Sequence, residues 1–172
     1  METGRVQVYT GDGKGKTTAA VGLAVRAAGA GLRVLIVQFM KGGPSSEHAA
    51  LACLADRITV RHYGRAGFVH GDPTPDDLRL GREALRDAAG ALCEGTHDVV
   101  VLDEACVAVH FGLFRAAELV SAIEARAKGV EVVVTGRRAP PELLAIADLI
   151  TEMRPLRHYY NDGVPARRGI EA

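Results

Sequence analysis

Short, nearly continuous apolar runs alternate along this chain with stretches in which small and apolar residues recur at helical spacing. Val6 to Tyr9 predicts a first strand, and Thr17 to Ala30 a helix closed by Gly31. Arg33 to Phe39 reads as a second strand, followed by a polar loop from Lys41 to Ser46 and a short helix from Glu47 to Ala55. Ile58 to His62 alternates apolar with polar and predicts another strand. A turn-rich loop from Gly64 to Pro75 leads into a helix with three start signals: Thr74 as cap, Pro75 at the first position, and Asp76 and Asp77 where the helix dipole is positive. That helix runs to about Leu92. Asp98 to Leu102 and Val130 to Thr135 are further apolar strands, separated by a loop and by a helix from Ala116 to Lys128 that Gly129 stops. Pro140 and Pro141 open a short helix to Ala147, Asp148 to Met153 predicts the last strand, and the tail is rich in Gly, His, Tyr and Arg. Strands this apolar need cover on both faces, so the pattern predicts a single α/β domain over residues 1–172 with a mostly parallel central sheet between helical layers.

The candidate chemistry gathers where the strands end. After the first strand, Thr10-Gly11-Asp12-Gly13-Lys14-Gly15-Lys16-Thr17-Thr18 runs straight into the first helix. Glycines let successive backbone N–H groups turn inward around phosphate oxygens, the helix N-terminus adds partial positive charge, Lys16 reaches the outer phosphates, and Thr17 offers a hydroxyl to magnesium. The strict pattern of such a phosphate-binding loop has Gly where Thr10 stands, so this loop is a variant. The run Val99 to Leu102 delivers Asp103 and Glu104, one expected to hold Mg²⁺ directly or through water and the other to orient water or the nucleotide. Right-handed βαβ crossovers should bring the loops that begin at residues 10, 40, 103 and 136 to one edge, which adds Lys41 and Arg137 as cations. Arginine outnumbers lysine by 17 to 4, yet Lys14, Lys16 and Lys41 all fall here, where a compact point charge suits a phosphate cradle better than a planar fork. The expected fold is the three-layer P-loop NTPase (RecA-like) type, and the expected ligand is a nucleoside triphosphate with Mg²⁺.

Charge and composition narrow the partners. With 21 basic and 21 acidic residues and no long run of one sign, the chain has no electrostatic footprint for nucleic acid or an anionic membrane. No stretch reaches the ~20 apolar residues of a membrane span. Met1 to Arg5 enter the first strand without a signal-peptide pattern, so a cytoplasmic location is expected. Cys53, Cys93 and Cys106 share no metal-type spacing and read as reduced thiols.

Physical reading stops at a Mg-nucleotide protein with several candidate loops for a second substrate: an ordinary P-loop ATPase, a small-molecule kinase or a non-catalytic nucleotide-binding module would use the same loop. Beyond that loop the segments VYTGDGKGKTTAAVGLAVRAAGAG, VQFMKGG, GRAGFVHGDPTPDD, VVVLDEACVAVHFGL, VVVTGRRAP and ADLITEMRPLRHYYNDGVPARRGIE follow one another. In this order, over nearly the whole chain, they resemble the P-loop type of ATP:corrinoid adenosyltransferase in its shorter form. The resemblance implies that reduced cobalt of a corrinoid attacks the 5′ carbon of ATP, forming a cobalt–carbon bond and releasing triphosphate. The phosphates are then a leaving group, whose charge Lys14, Lys16, Mg²⁺ at Thr17 and Glu104 or Asp103, and Lys41 or Arg137 would share. No general base is required. A flavoprotein or other reductant and a homodimer are implied partners.

The same resemblance assigns the Gly64 to Pro75 loop to the corrinoid, with Phe68 as the apolar side chain beneath the ring. His70 stands where some members carry an aromatic, and Arg157 where many have Lys. The resemblance is to the form expected to do without the N-terminal extension of longer members. His158, Tyr159 and Tyr160 are read as tail packing or a subunit contact.

Overall fold

The computed structural model describes residues 2–43, 45–65 and 71–170. The elements are β1 (Val6–Thr10), α1 (Lys16–Gly29), β2 (Val34–Phe39), α2 (Ser46–Leu51), β3 (Ile58–Tyr63), α3 (Pro75–Glu94), β4 (Val99–Asp103), α4 (Ala105–His110), α5 (Ala116–Glu124), β5 (Glu131–Thr135), α6 (Pro141–Ile146) and β6 (Leu149–Glu152). The six strands form one sheet in the order β3-β2-β4-β5-β1-β6, and every neighbouring pair is parallel. This is the α/β arrangement of a P-loop NTPase, and the expected mostly parallel sheet is parallel throughout.

Strand alternation sorts the core into two sides. Val8, Leu35, Val37, Val100, Leu102, Val132 and Val134 pack under α3, α4, α5 and α6. The intervening positions Val34, Ile36, Val99, Val101 and Val133 face the other way, against Ala20, Ala24, Ala27 and Ala28 of α1 and Leu51 of α2. The small side chains of α1 let its axis lie close to the sheet. This matters for function, because the N-terminus of α1 is the end that receives the glycine loop.

The helix expected over Glu47 to Ala55 is α2 as far as Leu51, followed by a 3-10 turn over Ala52–Leu54, and two further differences from the sequence reading are larger. The stretch after β4, expected as a loop, is the helix α4, with Ala105, Cys106 and Ala108 buried. A six-residue helix is too short to show a period in sequence, and its residues merge with the apolar run before it. The helix expected to reach Lys128 ends at Glu124, since the Ala127 N–H donates to the Leu92 carbonyl at the end of α3 (2.9 Å) instead of continuing the helical ladder.

The start of α3 is as its signals predict. Asp77, buried, accepts hydrogen bonds from the Thr74 N–H (2.9 Å) and hydroxyl (2.7 Å), and from Arg65 through Nε and Nη2 (both 2.8 Å). The Arg65 guanidinium, followed by the Thr74 bonds, holds the Asp77 carboxyl far below the usual carboxylate range. A depressed carboxyl stabilises the fold fully above the unfolded value of ~3.9 and loses that contribution as pH falls toward the folded value. We therefore expect Asp77→Asn to cost about 1–3 kcal/mol at pH 7, with Arg65 exposure keeping the figure from going higher, and the difference to shrink below pH ~4. Urea unfolding of both proteins at the two pH values checks this.

Candidate active site

The glycine loop is shaped from behind as well as from the phosphate side. After β6 the chain passes across it: Met153 N–H donates to the Thr10 carbonyl (2.8 Å), and the Gly13 N–H donates to the Met153 carbonyl (2.7 Å). A Cβ at Gly11, where φ is +93°, would lie 2.5 Å from the Met153 oxygen, and one at Gly13 2.7 Å from it. Glycine is thus demanded at both positions by the segment that follows β6. The Gly13 N–H is committed to that segment, so any oxygen in the cleft is met by the N–H groups further on, at the start of α1, which lack partners within the helix.

Lys16, only 7% exposed, folds back to donate to the carbonyls of Gly11 (2.6 Å) and Gly13 (2.8 Å). Burial lowers its pKa, with Glu104 opposing the shift.

Asp103, 1% exposed at the end of β4, is a hub of four donors. Its Oδ1 accepts from the Thr17 hydroxyl (2.8 Å) and the Thr135 hydroxyl (2.7 Å). Its Oδ2 accepts from Lys41 Nζ (2.8 Å) and Gln38 Nε2 (3.0 Å). Four donors fill the lone-pair positions of one carboxylate. For Lys41, burial works against the charged ammonium, but the Asp103 carboxylate outweighs it and the pKa rises.

Glu104 differs in every respect. It sits in the left-handed region at φ 62°, which costs a non-glycine residue about 1–2 kcal/mol, and its N–H donates to Thr135 Oγ1 (3.0 Å). Among the described residues nothing donates to its carboxylate, and burial, then the charge on Asp103, raises its pKa. Met40 and Arg138, also at strand ends on this edge, are the other described non-glycine residues with positive φ. Strain of this kind concentrates at functional sites, here by turning chain ends toward the cleft.

These groups surround a cleft of about 680 Å³ lined by Gly13, Lys14, Gly15, Lys16, Thr17, Thr18, Lys41, Glu104 and Arg137. The loops expected to converge therefore do so. Thr10, Gly11 and Asp12 form the base of the loop outside this lining, and Asp103 lies beneath its floor. Phe68 and His70 lie outside the described residues. Sequence reasoning missed Gln38 and Thr135, whose signal was a polar residue at the last inward rung of an otherwise apolar strand. It also missed the tail, which returns His158, Gly169 and Ile170 to the mouth.

A family model described as ATP:corrinoid adenosyltransferase BtuR/CobO/CobP matches residues 2–172. The chain belongs to this adenosyltransferase family. It is 33% identical to the corrinoid adenosyltransferase of Pseudomonas aeruginosa over 171 residues, covering 99% of this chain and 84% of that protein. It is 36% identical to the corrinoid adenosyltransferase of Escherichia coli over 171 residues, covering 99% and 86%. The same identity and coverage hold for the corrinoid adenosyltransferase CobA of Salmonella typhimurium. The protein is accordingly a transferase.

The donor set of the adenosyltransferase fits a magnesium nucleotide. Thr17 donates its hydroxyl hydrogen bond to Asp103, leaving its oxygen an acceptor at the cleft wall, where Lys41 Nζ approaches it at 3.4 Å, and Glu104 presents a half-buried carboxylate with no donor among the described residues. Two protein oxygens supplemented by phosphates and waters are what Mg²⁺ ordinarily takes in nucleotide sites.

Proposed function

We propose that the cleft binds ATP with its triphosphate on the loop 11–18, and that the chain transfers the 5′-deoxyadenosyl group to cobalt(I) of a corrinoid with release of triphosphate. The observation that carries the reading is one cleft edge bearing Lys14, Lys16, Lys41 and Arg137 beside an undonated carboxylate at Glu104, in a chain of this family. Thr17 and Glu104 would hold Mg²⁺ directly, and Asp103, its lone pairs taken, would set the Thr17 hydroxyl. Bound there, the ion neutralises phosphate charge that develops as the triphosphate departs. Lys16 exchanges the Gly11 and Gly13 carbonyls for phosphate oxygens, and Lys14 and Arg137 take the remaining charge. Cobalt(I) supplies both electrons of the new bond to C5′, and the C5′–O pair leaves with triphosphate, so the protein removes no proton.

Residues 1–172 are read as one nucleotide-binding domain. The corrinoid side is assigned to the loop that carries Phe68 and His70. Two further readings accompany this one. A homodimer is supported by the edge strand β6, where Leu149 and Ile150 are exposed, and by the exposed Leu156 that follows it in the chain. A cytoplasmic location with a flavoprotein or other reductant is supported by the free thiols of Cys53, Cys93 and Cys106 and by the need for cobalt(I), both suited to a reducing compartment.

The test is purified protein with ATP, Mg²⁺ and chemically reduced cobalamin, followed by visible absorbance and by phosphate analysis. The expected result is an alkylcobalt spectrum with one triphosphate per corrinoid. Diphosphate or phosphate as the only product, with the corrinoid unchanged, would make the protein an ATPase or kinase.

A further inference from the structure

Asp103 can hold Thr17 only if the carboxylate itself is kept from rotating, and the hydrogen bonds that do this extend beyond the cleft. Gln38 on β2 stands opposite Asp103 on β4 and opposite His62 on β3 in the parallel register, so the three share one rung of the sheet. Gln38 is 1% exposed, and a buried amide must place both of its ends. An ionised carboxylate only accepts, so the amide nitrogen faces Asp103 Oδ2 (3.0 Å). The amide oxygen then faces His48 Nε2, 2.8 Å away on α2.

The direction of the His48 bond follows from its other nitrogen. A backbone N–H can only donate, and Ser45 N–H donates to His48 Nδ1 (2.7 Å). Nδ1 is therefore bare, and the neutral ring carries its proton on Nε2, aimed at Gln38. Burial and the neighbouring His62 ring, whose centroid is 4.3 Å away, both favour that neutral form. The bonds run one way: Ser45 N–H to His48, His48 to Gln38, Gln38 to Asp103, with Thr17 donating to the far oxygen of the same carboxylate. If Gln38 turned over, its NH₂ would meet a donor on one side and its oxygen a carboxylate on the other.

We propose that His48, acting through Gln38, is a positioning residue that locks the Asp103 carboxylate beneath Thr17 and so sets the affinity for the magnesium form of the nucleotide. The inference rests on the Mg-nucleotide reading of the cleft and adds His48 of α2, a residue outside the cleft lining although Ser46 and Glu47 of the same helix belong to it. His48 is half-buried and forms no part of the cleft wall. It also caps α2 and packs against His62, which gives a competing, purely structural explanation that the test must separate.

The test is calorimetric binding of a non-hydrolysable ATP analogue, with Mg²⁺ and with chelator, in a double-mutant cycle, alongside urea unfolding of each protein. Outer partners of metal-holding groups are worth about 10–100-fold in metal affinity, so Gln38→Leu should lower the Mg²⁺-dependent part of binding by that factor, and His48→Ala by roughly 10-fold. Because His48 works through Gln38, adding His48→Ala to Gln38→Leu should cost less than about twofold more. His48→Gln, whose carboxamide can accept at the cap and donate to Gln38, should restore most of the affinity. Affinity unchanged in His48→Ala with reduced stability would mean that the histidine only caps α2. Losses that multiply in the double variant would also overturn the relay. If Gln38→Leu does not fold, the contrast between His48→Ala and His48→Gln decides alone. Wild-type protein that gains nothing from Mg²⁺ would sink this inference together with the metal reading, whereas Mg-dependent binding without corrinoid adenosylation would leave it standing and remove the proposed reaction.

Discussion

Lys16→Ala is expected to abolish adenosyl transfer while leaving the protein folded. The ammonium emerges at the start of α1 and, among the described residues, bonds the loop carbonyls of Gly11 and Gly13, so removing it loosens the loop without opening either side of the core. Charge-assisted contacts are worth ~1.5–3 kcal/mol each in binding. A preorganised group that meets charge developing on a leaving group is worth about 10²–10³ in rate. Triphosphate departs with more charge than any single lysine can offset, so turnover should fall at least to the lower of these limits and ATP affinity should fall with it. Lys16→Arg should fail as well, because a planar fork does not replace a point charge held between two carbonyls. The measurements are single-turnover kinetics with reduced cobalamin and thermal unfolding. Turnover near that of the wild type would remove the phosphate-cradle reading.

Two conservative changes at the end of β4 should separate in sign. Asp103→Asn replaces an acceptor for four donors with a group that carries two donors of its own, so Thr17, Thr135, Gln38 and Lys41 lose a common partner. It should lower turnover by about 10²-fold or more and stability by about 2–3 kcal/mol, a figure discounted because Lys41 is partly exposed. Glu104→Gln should lower turnover and raise the Mg²⁺ concentration for half activity, yet unfold at a higher temperature than the wild type. The sign follows from linkage. Burial raises the Glu104 pKa, so the ionised side chain opposes folding at every pH above its unfolded value of ~4.3, and an uncharged amide removes that cost. The backbone strain at position 104 is the same in both proteins and cancels. A Glu104→Gln protein with unaltered Mg²⁺ dependence would exclude the residue as a ligand.

Much of this was legible along the chain because the signals are local. Thr74-Pro75-Asp76-Asp77 announces the start of α3 through bonds within one turn, and the structure forms them. The glycine loop between an apolar strand and an alanine-rich helix marks one wall of the cleft in sequence, and the pair Asp103-Glu104 marks a second element that meets it there. Their division of labour was not legible. Two adjacent acids on a strand end are equivalent in sequence. The alternation of the strand turns Asp103 under α1 into a nest of donors, while the left-handed turn at Glu104 carries the next carboxylate out to the cleft. Lys41 reads as a phosphate-side cation from its place after β2; it lines the cleft and, unforeseen in sequence, also bonds the carboxylate that holds Thr17.

The sequence by itself determined most of the elements, α4 excepted, together with the α/β class, the glycine loop and, through the order of its segments, the family, since hydrophobic period, caps and glycine turns act over a few residues and survive without knowledge of what packs where. Only the tertiary structure decided what supports that loop. Met153 lies behind glycines at 11 and 13 because β6 joins the sheet beside β1. Gln38 meets Asp103, 65 residues away, because β2 and β4 are paired in a register that places both on one rung. Such contacts depend on strand order and pairing across the whole sheet, and a chain of residues carries no local mark of either.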